Sequence, residues 1–229
     1  MSTDPFLNNA RIAKRLVPLY LLVPVLFAGA FAYSGFPLIW TAFGLGAAGW
    51  VVAFMLRGPL SVLAMKKPGF GKTILYASSG PLEEGVRYGL LALTSVQVSW
   101  AASLGQGWAA VEVVYVMIQV VAISALAHRQ DEQALQAKAI LESQGLTQSH
   151  PLWGIVERLS ASAFHIGATL IVASIPWTVF ILIPLHSLFN LAMVQLVKRS
   201  VAWGEAFAAL LGGALLGLGL YVSGAWSWI

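Results

Sequence analysis

The feature that most constrains this chain is a series of apolar stretches, each about as long as a bilayer is thick. They lie roughly at residues 16–34, 37–56, 73–97, 100–127, 152–175, 177–197 and 203–227. A helix needs about 20 mainly apolar residues to cross the ~30 Å hydrocarbon layer, and a helix satisfies its own backbone there. The expected fold is therefore all-α: a polytopic transmembrane helical bundle of about seven spans, forming one domain over residues 1–229. Composition agrees. Only 10% of residues are charged and 59% are hydrophobic, whereas soluble domains carry about 25% charged residues.

The basic residues support the count. Arg11, Lys14 and Arg15 precede the first span; Arg57, Lys66, Lys67 and Lys72 lie between the second and third; Arg129 and Lys138 between the fourth and fifth; Lys198 and Arg199 between the sixth and seventh. With seven spans all these segments fall on one side, and the opposite loops have no Lys or Arg. The positive-inside rule then puts the N-terminus in the cytoplasm, the C-terminus outside, and the protein in the cell (inner) membrane. No small-residue cleavage site follows the first basic cluster, so the first span is expected to be uncleaved. The net charge of +4 is dispersed among these segments, which speaks against nucleic acid as a partner. With no cysteine, disulfides and thiolate sites are excluded.

One polar loop is long, 128–150, and its segment Gln130 to Gln144 reads as an amphipathic interfacial helix with Ala134, Leu135, Ala137 and Leu141 inward and Gly145 as its stop. Gly44, Gly46 and Gly49 match a dinucleotide fingerprint in spacing, but no strand precedes them. Together with Gly212, Gly213, Gly217 and Gly219, they are expected to permit close helix packing.

Against this background, ionisable residues inside spans stand out. Glu83, Glu84, Arg87, Glu112, Glu157, Arg158, His165, His186, Asn190 and Gln119 all fall within or at the edge of a span. An ionisable side chain near the bilayer centre costs at least ~2.5–3.5 kcal/mol. Helical spacing groups them: Arg87 can reach Glu83 or Glu84, His186 shares a face with Asn190, and Glu157, Ala161 and His165 form a stripe with room over Ala161. At ~1.5 Å per residue, Glu83, His165 and His186 come to similar depths, roughly 15–20 Å from the basic side.

Each also has a structural reading. Glu84 with Arg87 can be a plain ion pair, Glu157 with Arg158 an interfacial pair, and Gln119 an interhelical hydrogen bond. As a set they suit chemistry. A carboxylate beside histidines, away from bulk water, can take a proton from a water and return it, and a His–Asn pair can donate to an oxyanion. His165, His186 and a glutamate could instead hold zinc, but HExxH is absent, so no metal and no cofactor is expected.

Four segments also carry a resemblance. Pro81-Leu-Glu83-Glu84-Gly-Val-Arg87, Glu157-Arg158-Leu, Phe164-His165-Ile-Gly167 and His186-Ser-Leu-Phe-Asn190, in this order, resemble the YhfC family of intramembrane proteases. That family is similar to the CAAX prenyl protease and bacteriocin-processing membrane protease superfamily. The resemblance spans about residues 70–200. It implies a glutamate-type membrane endopeptidase acting on a membrane-embedded or lipidated peptide. Glu83 would be the water-activating base and Glu84 its neighbour, with Arg87 holding the pair. His165 would assist, His186 and Asn190 would stabilise the oxyanion, and Glu112, Glu157 and Arg158 would support. Trp108 stands where that pattern carries a histidine. It favours the alternative of a non-catalytic membrane partner or chaperone on the same scaffold. A transporter is a third reading, since buried carboxylates also mark ion paths.

Overall fold

The computed structural model describes residues 5–66, 71–143 and 150–228. Among these the regular structure is helical and no strand forms: α1 (Pro5–Tyr20), α2 (Leu22–Tyr33), α3 (Trp40–Met65), α4 (Gly71–Ala77), α5 (Ser79–Leu93), α6 (Val98–Ala127), α7 (Glu132–Ser143), α8 (Leu152–Ser174), α9 (Val179–Arg199) and α10 (Val201–Val222). Six segments are long and apolar enough to cross a membrane: 6–33, 40–62 and 98–127, then 152–174, 176–199 and 201–222. Their outer faces carry leucine and aromatic side chains, such as Leu22, Phe180 and Leu210, that only lipid would solvate. The protein is an integral membrane protein with an all-α bundle.

The third expected span, 73–97, is the exception. It is two helices, α4 and α5, too short and polar to join the six. Packing direction nevertheless makes it a crossing. Ile39 N–H donates to Ser103 Oγ at 2.9 Å, Gly107 abuts Phe43, Gly49 abuts the Trp108 ring, and the Trp50 ring lies 5.3 Å from Tyr115. Residue numbers rise together along both helices, so α3 and α6 are parallel. The chain must return between them, and α4–α5 is that return: Gly49 meets Leu90 and Arg57 meets Glu83, an antiparallel match to α3. This segment survives because its polar side chains face protein, as the site below shows.

Boundaries differ from expectation in two further places. The first span starts at Phe6 rather than 16 and bends at Leu21, between α1 and α2. The second runs on past Arg57 to Met65, because the apolar sequence resumes after the arginine. Among the described residues the basic inter-helix side chains lie at one end of the bundle. At the other, segments 34–39, 94–97, 175–178 and 223–228 contain neither Lys nor Arg.

At the centre stands α8. In its apolar window 72% of residues are buried, against 17–28% in the other five. Gly167 and Gly212 explain its close fit to α10: a Cβ on Gly167 would collide with Leu215 and Leu216, and one on Gly212 with Ser160. Gly46, Gly49 and Gly219 pack as expected, while Gly44, Gly213 and Gly217 meet open space and need another explanation.

The loop helix α7 forms over Glu132–Ser143. Asp131 caps it by accepting from Ala134 N–H at 3.1 Å. Lys138 Nζ donates to the Ala127 and Arg129 carbonyls at 2.9 and 2.7 Å, closing the end of α6. Leu141 packs on Phe6, Ala10 and Ala127. Leu135 faces out, and Gly145 lies outside the described residues.

Candidate active site between α5, α8 and α9

The site starts from a defect in the backbone. Pro81 lacks the N–H that would bond to the Ala77 carbonyl, and the helix breaks at Ser78. Ser187 Oγ of α9 donates to that carbonyl at 2.7 Å instead. Gly80 lets the two helices touch, since a Cβ there would strike the Ile183 carbonyl and the Ser187 hydroxyl. Asn190 Nδ2, one turn on, donates to Ser79 Oγ at 2.7 Å. These contacts fix the register of α5 on α9 and bring Glu84 against His186.

His186 Nδ1 lies 2.7 Å from Glu84 Oε1. Glu84 also accepts from Arg87, and both their side chains are fully buried. A carboxylate with no proton obliges His186 to donate through Nδ1. In the neutral ring Nε2 would then be the acceptor, and it faces Glu83 Oε2 across 3.9 Å. Phe164 packs on the imidazole, with ring centroids 4.9 Å apart, and holds its plane.

Glu83 is nearly buried. Its Oε1 accepts from Arg57, and Trp108 Nε1 donates to Oε2 at 3.4 Å. The Trp108 ring also lies under the Arg87 guanidinium, 4.8 Å from it. Arg57 and Trp108 were not among the expected site residues. By sequence Arg57 stands among the basic residues between spans; the signal that places it inside a helix is the apolar run continuing from Gly58 to Met65. By sequence Trp108 stands out only as the residue in place of a histidine.

His165 is committed elsewhere. Arg87 Nη2 donates to its Nδ1 at 2.8 Å, which forces the proton onto Nε2. Nε2 lies 2.7 Å from Glu112 Oε2, although no donor is well aligned on that oxygen. With both nitrogens engaged, His165 is not free to help Glu83. Glu112 in turn accepts from Arg158 Nη1 at 2.7 Å, and Arg158 Nη2 reaches Glu157 at 2.7 Å. Thus the cation for Glu112, absent from its own helix, comes from α8. Gln119 makes no interhelical hydrogen bond among the described residues.

These groups surround a cavity of about 130 Å³, bordered by Arg57, Glu83, His165, His186, Asn190 and Ala161 among others. The room expected over Ala161 is this cavity. It is large enough for a few waters. Among the described residues, no three His, Asp or Glu side chains converge on a point where a metal could sit. His165 and His186 turn one nitrogen each to Arg87 and Glu84 rather than toward a common centre.

No family model, no curated protein and no solved structure matches this chain.

Proposed function

We propose that this protein is an intramembrane peptidase in which Glu83 and His186 Nε2 together activate a water. The observation that carries the reading is the 3.9 Å gap between Glu83 Oε2 and His186 Nε2. It is too long for a direct hydrogen bond and suits one bridging water. In this reading the water oxygen attacks an amide carbonyl carbon while its proton passes to the Glu83–His186 pair. The carbonyl oxygen becomes an oxyanion. When the tetrahedral species collapses, the C–N bond breaks and the stored proton goes to the leaving amine.

The roles shift from those the resemblance implied. Glu84 orients His186, as a carboxylate orients a histidine in hydrolytic triads. His186 is then a base, so oxyanion stabilisation passes to the donors bordering the cavity, Asn190 and Arg57, whose Nε has no partner in the described structure. Arg87, which bonds both Glu84 and His165, is a positioning residue. The substrate is a membrane-embedded or lipidated peptide, and the basic end of the bundle lies in the cytoplasm.

The resemblance to the YhfC proteases supports this reading independently of the geometry. A second reading, a non-catalytic partner or chaperone, draws on one observation: Arg57 and Trp108 between them occupy both oxygens of Glu83.

The test is cleavage of membrane peptides by the purified protein in nanodiscs, comparing wild type with Glu83→Gln, His186→Ala and Glu84→Gln, with and without a metal chelator. The proposal expects loss of at least about 100-fold in the first two. It expects a smaller loss in Glu84→Gln, which still accepts from His186, and no effect of chelator. Activity abolished by chelator would replace it with a metalloprotease. Wild type that cuts nothing while binding peptides tightly would replace it with the second reading.

A further inference from the structure

A second, larger cavity of about 510 Å³ opens among α1, α6, α8, α9 and α10. Its size is that of small-molecule pockets, roughly 300–1,000 Å³. Phe6, Val120, Trp153 and Val197 give it apolar walls, and Glu157 and Glu205 border it as carboxylates. It meets the first cavity at Glu157 and Met193, which border both.

Among the described residues every acid bordering the first cavity is in an ion pair, and one acid bordering the second is not. Around the first, Glu83 pairs with Arg57, and Glu112 and Glu157 share Arg158. Both terminal nitrogens of Arg158 are thus on Glu112 and Glu157, and neither is on Glu205, which borders the second. Glu205 is 95% buried, 5% of its surface remaining exposed, and its Oε2 has no hydrogen-bond partner among the described residues. Lys198 and His150, exposed residues bordering the cavity, make no ion pair with it there. A carboxylate in such a place calls for a cation or a proton.

We propose that the second cavity binds a lysine or arginine side chain carried on an apolar peptide segment, with Glu205 as its counter-ion. The apolar walls take the stem and neighbouring residues, as they do for any snorkelling basic side chain. A phospholipid amine fits less well, because its phosphate would stand close to Glu157 and Glu205. The inference rests on the peptidase reading in naming that enzyme's substrate, a membrane segment with a basic residue near the cleaved bond. Binding tests it whether or not cleavage occurs.

A fluorescent leucine–alanine peptide with one central lysine, and its analogue with norleucine there, are titrated into nanodisc-held protein and followed by anisotropy. The titrations are repeated in the Glu83→Gln background, where the peptidase reading removes cleavage but not binding. The expected result is about tenfold or more tighter binding of the lysine peptide, with the preference lost in Glu205→Gln. Because Glu205→Gln removes an unpaired buried charge, its melting temperature without peptide is expected to equal or exceed wild type. Equal affinity for the two peptides, or a lysine preference that persists in Glu205→Gln, overturns the proposal.

Discussion

Arg87 is the residue on which the buried network turns, and its removal gives the most quantitative prediction. Its side chain is fully buried, as is that of Glu84. It pairs with Glu84, donates to His165 at 2.8 Å and lies 4.8 Å over Trp108. Arg87→Ala takes the arginine cation from a buried Glu84 and leaves it only the contact with His186, and breaking a buried pair in this way costs about 3–5 kcal/mol. The lost cation–π contact adds up to ~2 kcal/mol, though the two share atoms and do not simply sum. About 4 kcal/mol is a fair central value, or roughly 8–16 °C in melting temperature at ~2–4 °C per kcal/mol for a chain of this size. Arg87→Lys keeps the charge but not the fork that reaches Glu84 and His165 together, so it falls between. The decisive comparison is the double variant Glu84→Gln with Arg87→Ala. If an unpaired charge is what costs, the double variant recovers about half the loss. Thermal unfolding in nanodiscs, completed as a double-mutant cycle with Glu84→Gln, measures this. A double variant no more stable than Arg87→Ala would refute the reasoning and assign the cost to the cavity left by the arginine.

Ser187→Ala should strand the Ala77 carbonyl at a cost of about 1–3 kcal/mol. Adding Pro81→Ala should restore much of it by supplying an N–H, whereas additive losses in thermal melts would sink the idea. Gly167→Leu should push α8 from α10 and lower stability by at least ~2 kcal/mol by overpacking; an unchanged melting temperature would contradict the close approach. At the surface, Asp131 is held below its ordinary carboxylate range, first by its hydrogen bond from Arg129 and then by that from Ala134 N–H. Its capping of α7 is thus present above the unfolded value of ~4 and lost as pH falls through the lower folded value. Hydrogen exchange of α7 should speed up over that acid range in wild type and be fast throughout in Asp131→Ala; identical exchange in the two proteins would remove the cap.

The sequence by itself determined the helices, the alternation of their direction and the helix faces that carry polar groups. These rest on properties of a single segment: an apolar length matched to the bilayer, basic residues at alternate ends, and the 3.6-residue period that joins Glu84 to Arg87 and His186 to Asn190. It also announced the break near Gly80-Pro81, because proline's missing N–H is a local fact. What it could not decide is who pairs with whom across helices. Arg57 meets Glu83 and Arg158 meets Glu112, 26 and 46 residues apart, and Glu205 meets no one among the described residues. The committed state of His165 and the free nitrogen of His186 follow from those pairings. The reason is physical. In water an apolar stripe tells a helix which face to bury, but lipid is as apolar as a protein core. The hydrophobic pattern of these spans therefore leaves rotation and register open. They were settled by steric fit at Gly46, Gly80, Gly107, Gly167 and Gly212, and by the need of each buried polar group for a partner, both of which exist only once the helices have assembled.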